Sequence, residues 1–115
     1  MSNHLRRYCL TLNLKDDELL IAEYKRLHQR VWPEILESIR SSGIEVMDIY
    51  LLGNRLCMVI EVDSSFSFEA KAASDSTNPK VQDWENLMWR YQAALPQAKP
   101  GEKWLIMEQI FRLDE

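Results

Sequence analysis

Two apolar runs rich in β-branched residues, 44–52 and 55–62, are separated by only two residues, Gly53 and Asn54. Such a short connection is typical of a tight β-hairpin, because glycine and asparagine tolerate the backbone conformations that two-residue turns require. The two runs are therefore predicted to be neighbouring antiparallel strands. Any fold proposed for the chain therefore has to contain this antiparallel pair.

The segment before the hairpin predicts a strand followed by a long helix. Residues 7–14 alternate between apolar and polar side chains, as in a half-buried strand. An acid-rich turn at 15–17 then begins a helical repeat of apolar residues, which continues to Gly43 with an interruption at Pro33. The repeating positions are Leu20, Leu27, Val31, Ile35 and Ile39.

The segment after the hairpin predicts two helices and a strand. A short helix is expected at 65–74, and Asn78 with Pro79 provides the N-cap and first position of a helix that extends to residue 95. The apolar run 104–113 predicts the last strand. The order β, α, β, β, α, β, with one extra short helix, is that of a ferredoxin-like α+β domain, with helices on one face of a four-stranded antiparallel sheet.

Length and charge exclude several classes of protein. The 115 residues support one core but not two domains, so we expect a single domain spanning residues 1–115. A net charge of −4 without a Lys/Arg cluster argues against nucleic-acid binding. The chain shows neither a membrane-spanning apolar stretch nor a signal-peptide core, so we expect a cytoplasmic protein and no membrane partner. Cys9 and Cys57 lack metal-binding or redox spacing and are interpreted as small buried hydrophobes.

The run EYKRLHQRVWPEIL at 23–36 combines a titratable group, two aromatic residues and a helix breaker. Tyr24, His28 and Trp32 are four residues apart, so on a helix they share one face. Pro33 has no N–H to donate and predicts that the helix kinks or restarts near Trp32, which would open space beside His28. The simpler interpretation is that the aromatic residues pack in the core and His28 is a satisfied polar residue.

His28 is the first candidate for proton chemistry, because the chain has only two histidines. The other, His4, lies in a short polar N-terminal stretch that we expect to be frayed. His28 is then the ordered group that titrates near neutral pH without help.

The open face of the predicted sheet carries isolated polar groups among apolar neighbours, although the sequence does not decide which alternating set faces the helices. These groups are Thr11, Asp48, Glu61, Glu108 and Arg112. Carboxylates in such surroundings suggest a pocket, but each one alone also fits a solvent-facing position or the rim of a dimer interface. Sheets of this kind often pair into a dimeric barrel that encloses a cavity, so we expect a homodimer.

The chain resembles the L-rhamnose mutarotase family and the related L-fucose mutarotases, which interconvert the anomers of 6-deoxyhexoses. The resemblance rests on the run at 24–35, which matches the pattern Y-x-x-x-H-x-x-x-W-P-E, and on weaker matches at 43–50, 55–62 and 107–113. It implies a dimeric α+β barrel in which His28 is the catalytic acid/base and Tyr24 contacts the sugar.

Two departures from the rhamnose enzymes bear on the choice of sugar. Met47 stands where those enzymes have a tyrosine, and their adjacent tryptophan pair is replaced by Trp84 and Trp89, which point about 140° apart on a helix. Trp84 and Trp89 are both candidates for stacking on a sugar, with one expected to stack and the other to pack in the core; Trp104 is assigned to packing. L-fucose is then at least as plausible a substrate as L-rhamnose.

Mutarotation opens a cyclic hemiacetal, which requires one group to take the anomeric hydroxyl proton and another to protonate the ring oxygen. No metal or cofactor is expected. His28 is the proposed acid/base, and the second group could be Tyr24, a water molecule, or a sheet carboxylate, Glu61 or Glu108. These carboxylates are also the candidate sugar contacts.

Two other functions remain open on this fold. A haem-degrading or cofactor-free monooxygenase would need a haem-ligating histidine or an aromatic substrate pocket, and the rings beside His28 would crowd a macrocycle. A non-enzymatic ligand-binding module would bind sugar without accelerating its exchange.

Overall fold

The computed structural model describes residues 6–113 as one antiparallel sheet combined with four helices. In chain order the elements are β1 (Arg6–Leu14), α1 (Glu18–Leu27), α2 (Pro33–Ser41), β2 (Ile44–Leu52), β3 (Arg55–Val62), α3 (Phe68–Ser76), α4 (Pro79–Trp89), β4 (Gln92–Ala93) and β5 (Leu105–Ile106). The predicted α+β fold is confirmed. His4 lies outside the described residues.

The sheet has the order β2-β3-β1-β4, and β5 also pairs with β1. The predicted hairpin is confirmed, since β2 and β3 pair antiparallel from Leu52 opposite Arg55. Gly53 has a φ of +60°, the conformation for which a type II′ turn needs glycine at its first position. Asn54 then donates a side-chain hydrogen bond of 3.0 Å to the carbonyl of Leu14, which ties the turn to β1.

The core lies between the sheet and the helices. One set of alternating strand residues, including Leu10, Leu56 and Ile60, is buried in two adjoining clusters that also contain helix residues. These buried contacts supply most of the stability of a domain of this size.

The other face of the sheet carries three of the five polar groups named in the sequence analysis. The register places Thr11, Asp48 and Glu61 there, beside Cys9 and Cys57, whose Sγ atoms are 3.0 Å apart. Both cysteines are half-buried rather than fully buried. The hydrogen bond with Cys57 and burial raise the pKa of Cys9 to about 11, so this thiol is neutral at physiological pH.

Two predicted elements are wrong in extent. The last helix was predicted to reach residue 95, but α4 ends at Trp89 because the following chain turns to pair with β1 at Asn13 and Leu14. The strand predicted at 104–113 is reduced to β5, whose two residues pair with Leu10 and Thr11. Beyond it the Met107 N–H still donates to the Cys9 carbonyl, but the described chain forms no further pairing with β1 and the side chains are exposed.

No helix within residues 6–113 is long and apolar enough to cross a membrane.

Candidate active site

The chain between α1 and α2 places His28 at the end of one helix and Trp32 at the start of the next. His28 is the C-cap of α1, and Trp32 is the N-cap of α2 with Pro33 as the first helical residue. The predicted restart near Trp32 is confirmed, because the residue before a proline is pushed out of the helical conformation. The single continuous face for residues 24, 28 and 32 is wrong, since the helix ends at His28 rather than at Pro33.

His28 is held by the backbone of its own helix. Its Nδ1 lies 2.9 Å from the carbonyl oxygen of Tyr24, and because a carbonyl only accepts, Nδ1 carries the proton and donates. Burial lowers the pKa of His28 below 6.5, although the hydrogen bond to Tyr24 acts in the opposite direction. The imidazole is therefore neutral at pH 7, and its Nε2 is a free base.

Two aromatic rings contact His28; the predicted neighbour Tyr24 is one of them, but the second is Trp84 and not Trp32. The ring of Tyr24 lies 4.4 Å from the imidazole, measured between centroids, and the ring of Trp84 lies 5.6 Å away in an edge contact. Trp84 also contacts Trp32 at 5.1 Å. Trp84 of α4 thus lies in contact with both His28 and Trp32.

A cavity of about 640 Å³ opens beside these residues. It lies between the helices and the sheet, and its walls include Tyr24, His28 and Trp84 together with apolar strand residues such as Met58 and Ile60. The expectation that the open face of the sheet carries the pocket is thus wrong for this cavity. His28, at the end of α1, is one of the residues that line this cavity.

Tyr24 and Gln92 form a buried polar pair in the cavity wall. The Gln92 Nε2 donates a hydrogen bond of 3.1 Å to the Tyr24 Oη, and each residue is only 4% exposed. Burial raises the pKa of Tyr24 to about 12; the Gln92 hydrogen bond opposes this effect and the charge of Glu85 adds to it. The phenol is neutral and has its own proton to donate.

An ion pair, Glu85 with Lys103, also borders the cavity. The Lys103 Nζ lies 2.6 Å from the Glu85 Oε1 and 4.8 Å from the centre of the Trp89 ring. The lysine side chain is 12% exposed, so the ring and the carboxylate hold a largely buried ammonium group. Trp89 itself is not among the cavity residues; it positions Lys103.

Some of the predicted site residues lie at the cavity and others lie elsewhere in the fold. The structure brings together Tyr24, His28 and Trp84 around the cavity. It places Glu61 on the opposite face of the sheet, paired with Arg7 at 2.9 Å, and Glu108 on an exposed segment after β5. Neither carboxylate reaches the cavity within this chain.

Several polar cavity residues were missed in the sequence analysis, among them Glu85, Gln92 and Lys103. Gln92 stands in a segment predicted to be helical, and Lys103 reaches α4 only through the fold of the chain between residues 95 and 104. Local spacing carries no signal for such contacts. The one available hint was Glu85, which directly follows Trp84.

The arrangement suits proton transfer at a hydroxyl group. A neutral base and a neutral phenol face one cavity, and aromatic and aliphatic side chains provide an apolar surface beside them. Within residues 6–113, no group of three or more His, Cys, Asp or Glu side chains is placed to hold a metal ion.

Comparison with known proteins gives consistent matches. A family model described as L-rhamnose mutarotase matches residues 7–113. An L-fucose mutarotase of Xanthomonas campestris pv. campestris is 45% identical over 113 residues, which cover 96% of this chain and 90% of that protein. An L-rhamnose mutarotase of Shigella flexneri is 31% identical over 80 residues, 68% of this chain and 69% of that protein. The crystal structure of an L-rhamnose mutarotase from Formosa agariphila has a TM-score of 0.71 over 95% of this chain and 99% of its own; at 18% identity this likeness concerns the fold.

Proposed function

The chain belongs to the L-rhamnose mutarotase family, and on this premise we propose that it interconverts the α and β anomers of a 6-deoxy-L-hexose, with L-fucose as the preferred sugar. The preference is supported by the 45% identity to an L-fucose mutarotase, against 31% to an L-rhamnose mutarotase over a shorter segment. The observation that carries the proposal is the neutral His28, which lines an aromatic cavity and whose Nδ1 hydrogen bond leaves Nε2 unprotonated.

His28 acts as the base in the proposed reaction. Its Nε2 takes the proton of the anomeric hydroxyl while the Tyr24 hydroxyl gives its proton to the ring oxygen. The bond between the anomeric carbon and the ring oxygen breaks, and the sugar becomes an open-chain aldehyde with a new hydroxyl. A phenol with a pKa of about 12 can do this, because the departing ring oxygen is a stronger base than a phenolate.

Closure of the ring reverses these transfers. After rotation about the bond to C2, the Tyr24 phenolate takes the proton back from the attacking hydroxyl, and the His28 imidazolium returns its proton to the carbonyl oxygen. Both residues regain their starting states, so the cycle balances. Trp84 offers its ring edge and face to the C–H surface of the sugar, which orients the anomeric carbon toward His28.

Exchange between the anomeric proton signals of L-fucose, measured by saturation-transfer NMR near neutral pH, tests the proposal. We expect the protein to accelerate exchange, and His28→Ala to lower the enzymatic rate by about 10²- to 10⁴-fold, the usual contribution of an acid/base group. Gln29→Ala, at the exposed neighbouring position, is the matched control. Sugar binding without accelerated exchange would instead indicate a ligand-binding module.

A homodimer and a cytoplasmic location are also part of the proposal. Support for the dimer comes from large apolar side chains that remain exposed in the single chain, some on the open face of the sheet and some in the C-terminal segment. They include Val46, Tyr50, Leu52, Ile110, Phe111 and Leu113. The cytoplasmic location remains a prediction.

A further inference from the structure

The Gln92 side chain has one polar atom that is hydrogen-bonded and one that has no partner within the described part of the chain. Its Nε2 donates to the Tyr24 Oη, whereas among the described residues nothing donates a hydrogen bond to its buried Oε1. A buried acceptor without a donor is unfavourable, and most buried polar atoms in proteins have a partner. Because Gln92 lines the cavity, a group bound there can supply the missing donor.

We propose that the Gln92 Oε1 accepts a hydrogen bond from the C2 hydroxyl of the bound sugar, which makes Gln92 a specificity-determining residue. This inference rests on the proposed mutarotase function, in which Tyr24 donates to the ring oxygen. It assigns a substrate contact to a residue that is not part of the Tyr24–His28 run.

The identity of the hydroxyl follows from the connectivity of the sugar. Gln92 is hydrogen-bonded to Tyr24, which donates to the ring oxygen in the proposed reaction. A sugar hydroxyl that donates to the Gln92 amide therefore lies next to the reacting centre, which consists of the ring oxygen and the anomeric carbon. C5, on the far side of the ring oxygen, carries only a hydrogen and a methyl group in a 6-deoxyhexose. The anomeric hydroxyl is taken by His28, and the remaining neighbour is the hydroxyl on C2.

C2 is also a carbon at which the two candidate sugars differ. Its hydroxyl is equatorial in L-fucose and axial in L-rhamnose. The Gln92 amide cannot turn to accept a hydrogen bond from both the equatorial and the axial hydroxyl, because its Nε2 is hydrogen-bonded to Tyr24 and the side chain is buried. A fixed acceptor at this point therefore discriminates between sugars by the configuration at C2.

The experiment compares L-fucose with 2-deoxy-L-fucose, which lacks only the donor in question. Enzymatic kcat/KM is measured by NMR exchange for both sugars, after subtraction of the spontaneous rate of each sugar. For the wild type we expect 2-deoxy-L-fucose to be at least about 10-fold worse, because a site built to bind a hydroxyl leaves its own acceptor unpaired when the hydroxyl is missing.

Gln92→Met removes the acceptor with little change in volume. Its absolute activity falls for both sugars, because Tyr24 loses its positioning partner, but the ratio between the two sugars should shrink to within about 3-fold. Gln92→Glu keeps an acceptor oxygen at the same place and should retain the discrimination. Gln97→Met makes the same replacement at an exposed position and serves as the matched control. We expect its ratio of kcat/KM between the two sugars to equal that of the wild type.

Each result decides the inference. A wild-type enzyme that uses both sugars equally well overturns it without any variant, so the test does not depend on the folding of Gln92→Met. An unchanged ratio in a folded Gln92→Met also overturns it while leaving the mutarotase function intact. Absence of exchange with any 6-deoxyhexose would reject the proposed function itself, and this inference with it.

Discussion

The buried hydrogen bond between Gln92 and Tyr24 predicts a specific pattern of stabilities. Tyr24→Phe removes the hydroxyl and leaves the whole amide of Gln92 buried without a partner among residues 6–113. Loss of one neutral hydrogen bond and desolvation of the abandoned donor together cost about 1–3 kcal/mol. For a domain of this size we expect the melting temperature to fall by roughly 4–12 °C, at about 4 °C per kcal/mol.

Removal of both partners should cost less than the two single changes together. Gln92→Met alone leaves the Tyr24 hydroxyl buried and unpaired, but it also removes the orphaned Oε1, so we expect a loss of about 1 kcal/mol. In the double variant no polar atom of the pair remains buried. The coupling free energy between the two sites should therefore be about 1–2 kcal/mol in the favourable direction.

Urea unfolding followed by tryptophan fluorescence measures this cycle, since the chain contains four tryptophans. All four proteins are compared at one concentration, because association would add a concentration-dependent term. Equal m-values would show that the same surface is exposed on unfolding in each protein. Strictly additive effects of Tyr24→Phe and Gln92→Met would refute the reasoning, since they would mean that the two side chains do not share a hydrogen bond.

Three further measurements test other parts of the site and surface. Because burial lowers the pKa of His28 below 6.5, kcat/KM should be constant above pH 7 and fall with acid through an inflection below 6.5; an inflection above 7 would contradict the assigned base. Because the Glu85 charge raises the pKa of Tyr24, Glu85→Gln should lower that pKa from its value of about 12. Asp83→Asn, on the exposed side of α4, should leave it unchanged, and NMR of ¹³C-labelled tyrosine measures both variants. Tyr50→Glu on the open face should shift a dimer toward monomer in sedimentation velocity, whereas Leu19→Glu, at another exposed apolar position, should not. If the two variants dimerise equally strongly, the open face is not the interface.

The strands of the hairpin could be predicted from the sequence almost to the residue, since their signals are local. The two apolar runs and the Gly53-Asn54 turn predict both strands and their antiparallel pairing, although not the irregularity between Ile44 and Val46. The end of α4 could not be predicted, because the helical pattern continues to residue 95. Pairing of Gln92 and Ala93 with β1 overrides that pattern, and tertiary contacts of this kind leave no periodic trace in the sequence.

The candidate site shows the same division between local and tertiary information. Tyr24 and His28 are one helical turn apart, so their contact follows from spacing alone. Trp84 could be named as an aromatic candidate, but its place against His28 depends on how α4 packs. Gln92 and Lys103 lie in segments whose approach to the cavity is purely tertiary. Glu61 and Glu108 were chosen as carboxylates near apolar residues, a pattern that does not reveal which side of the sheet a residue faces.

The bond from His28 to a main-chain oxygen has an evolutionary consequence. Residue 24 contributes twice to the site: its carbonyl sets the tautomer of the imidazole, and its side chain supplies the phenol. Since every amino acid has the same carbonyl, a substitution at position 24 that preserves α1 leaves the histidine in its working form. In the proposed mechanism, descendants of this chain can thus exchange the second proton donor without rebuilding the base.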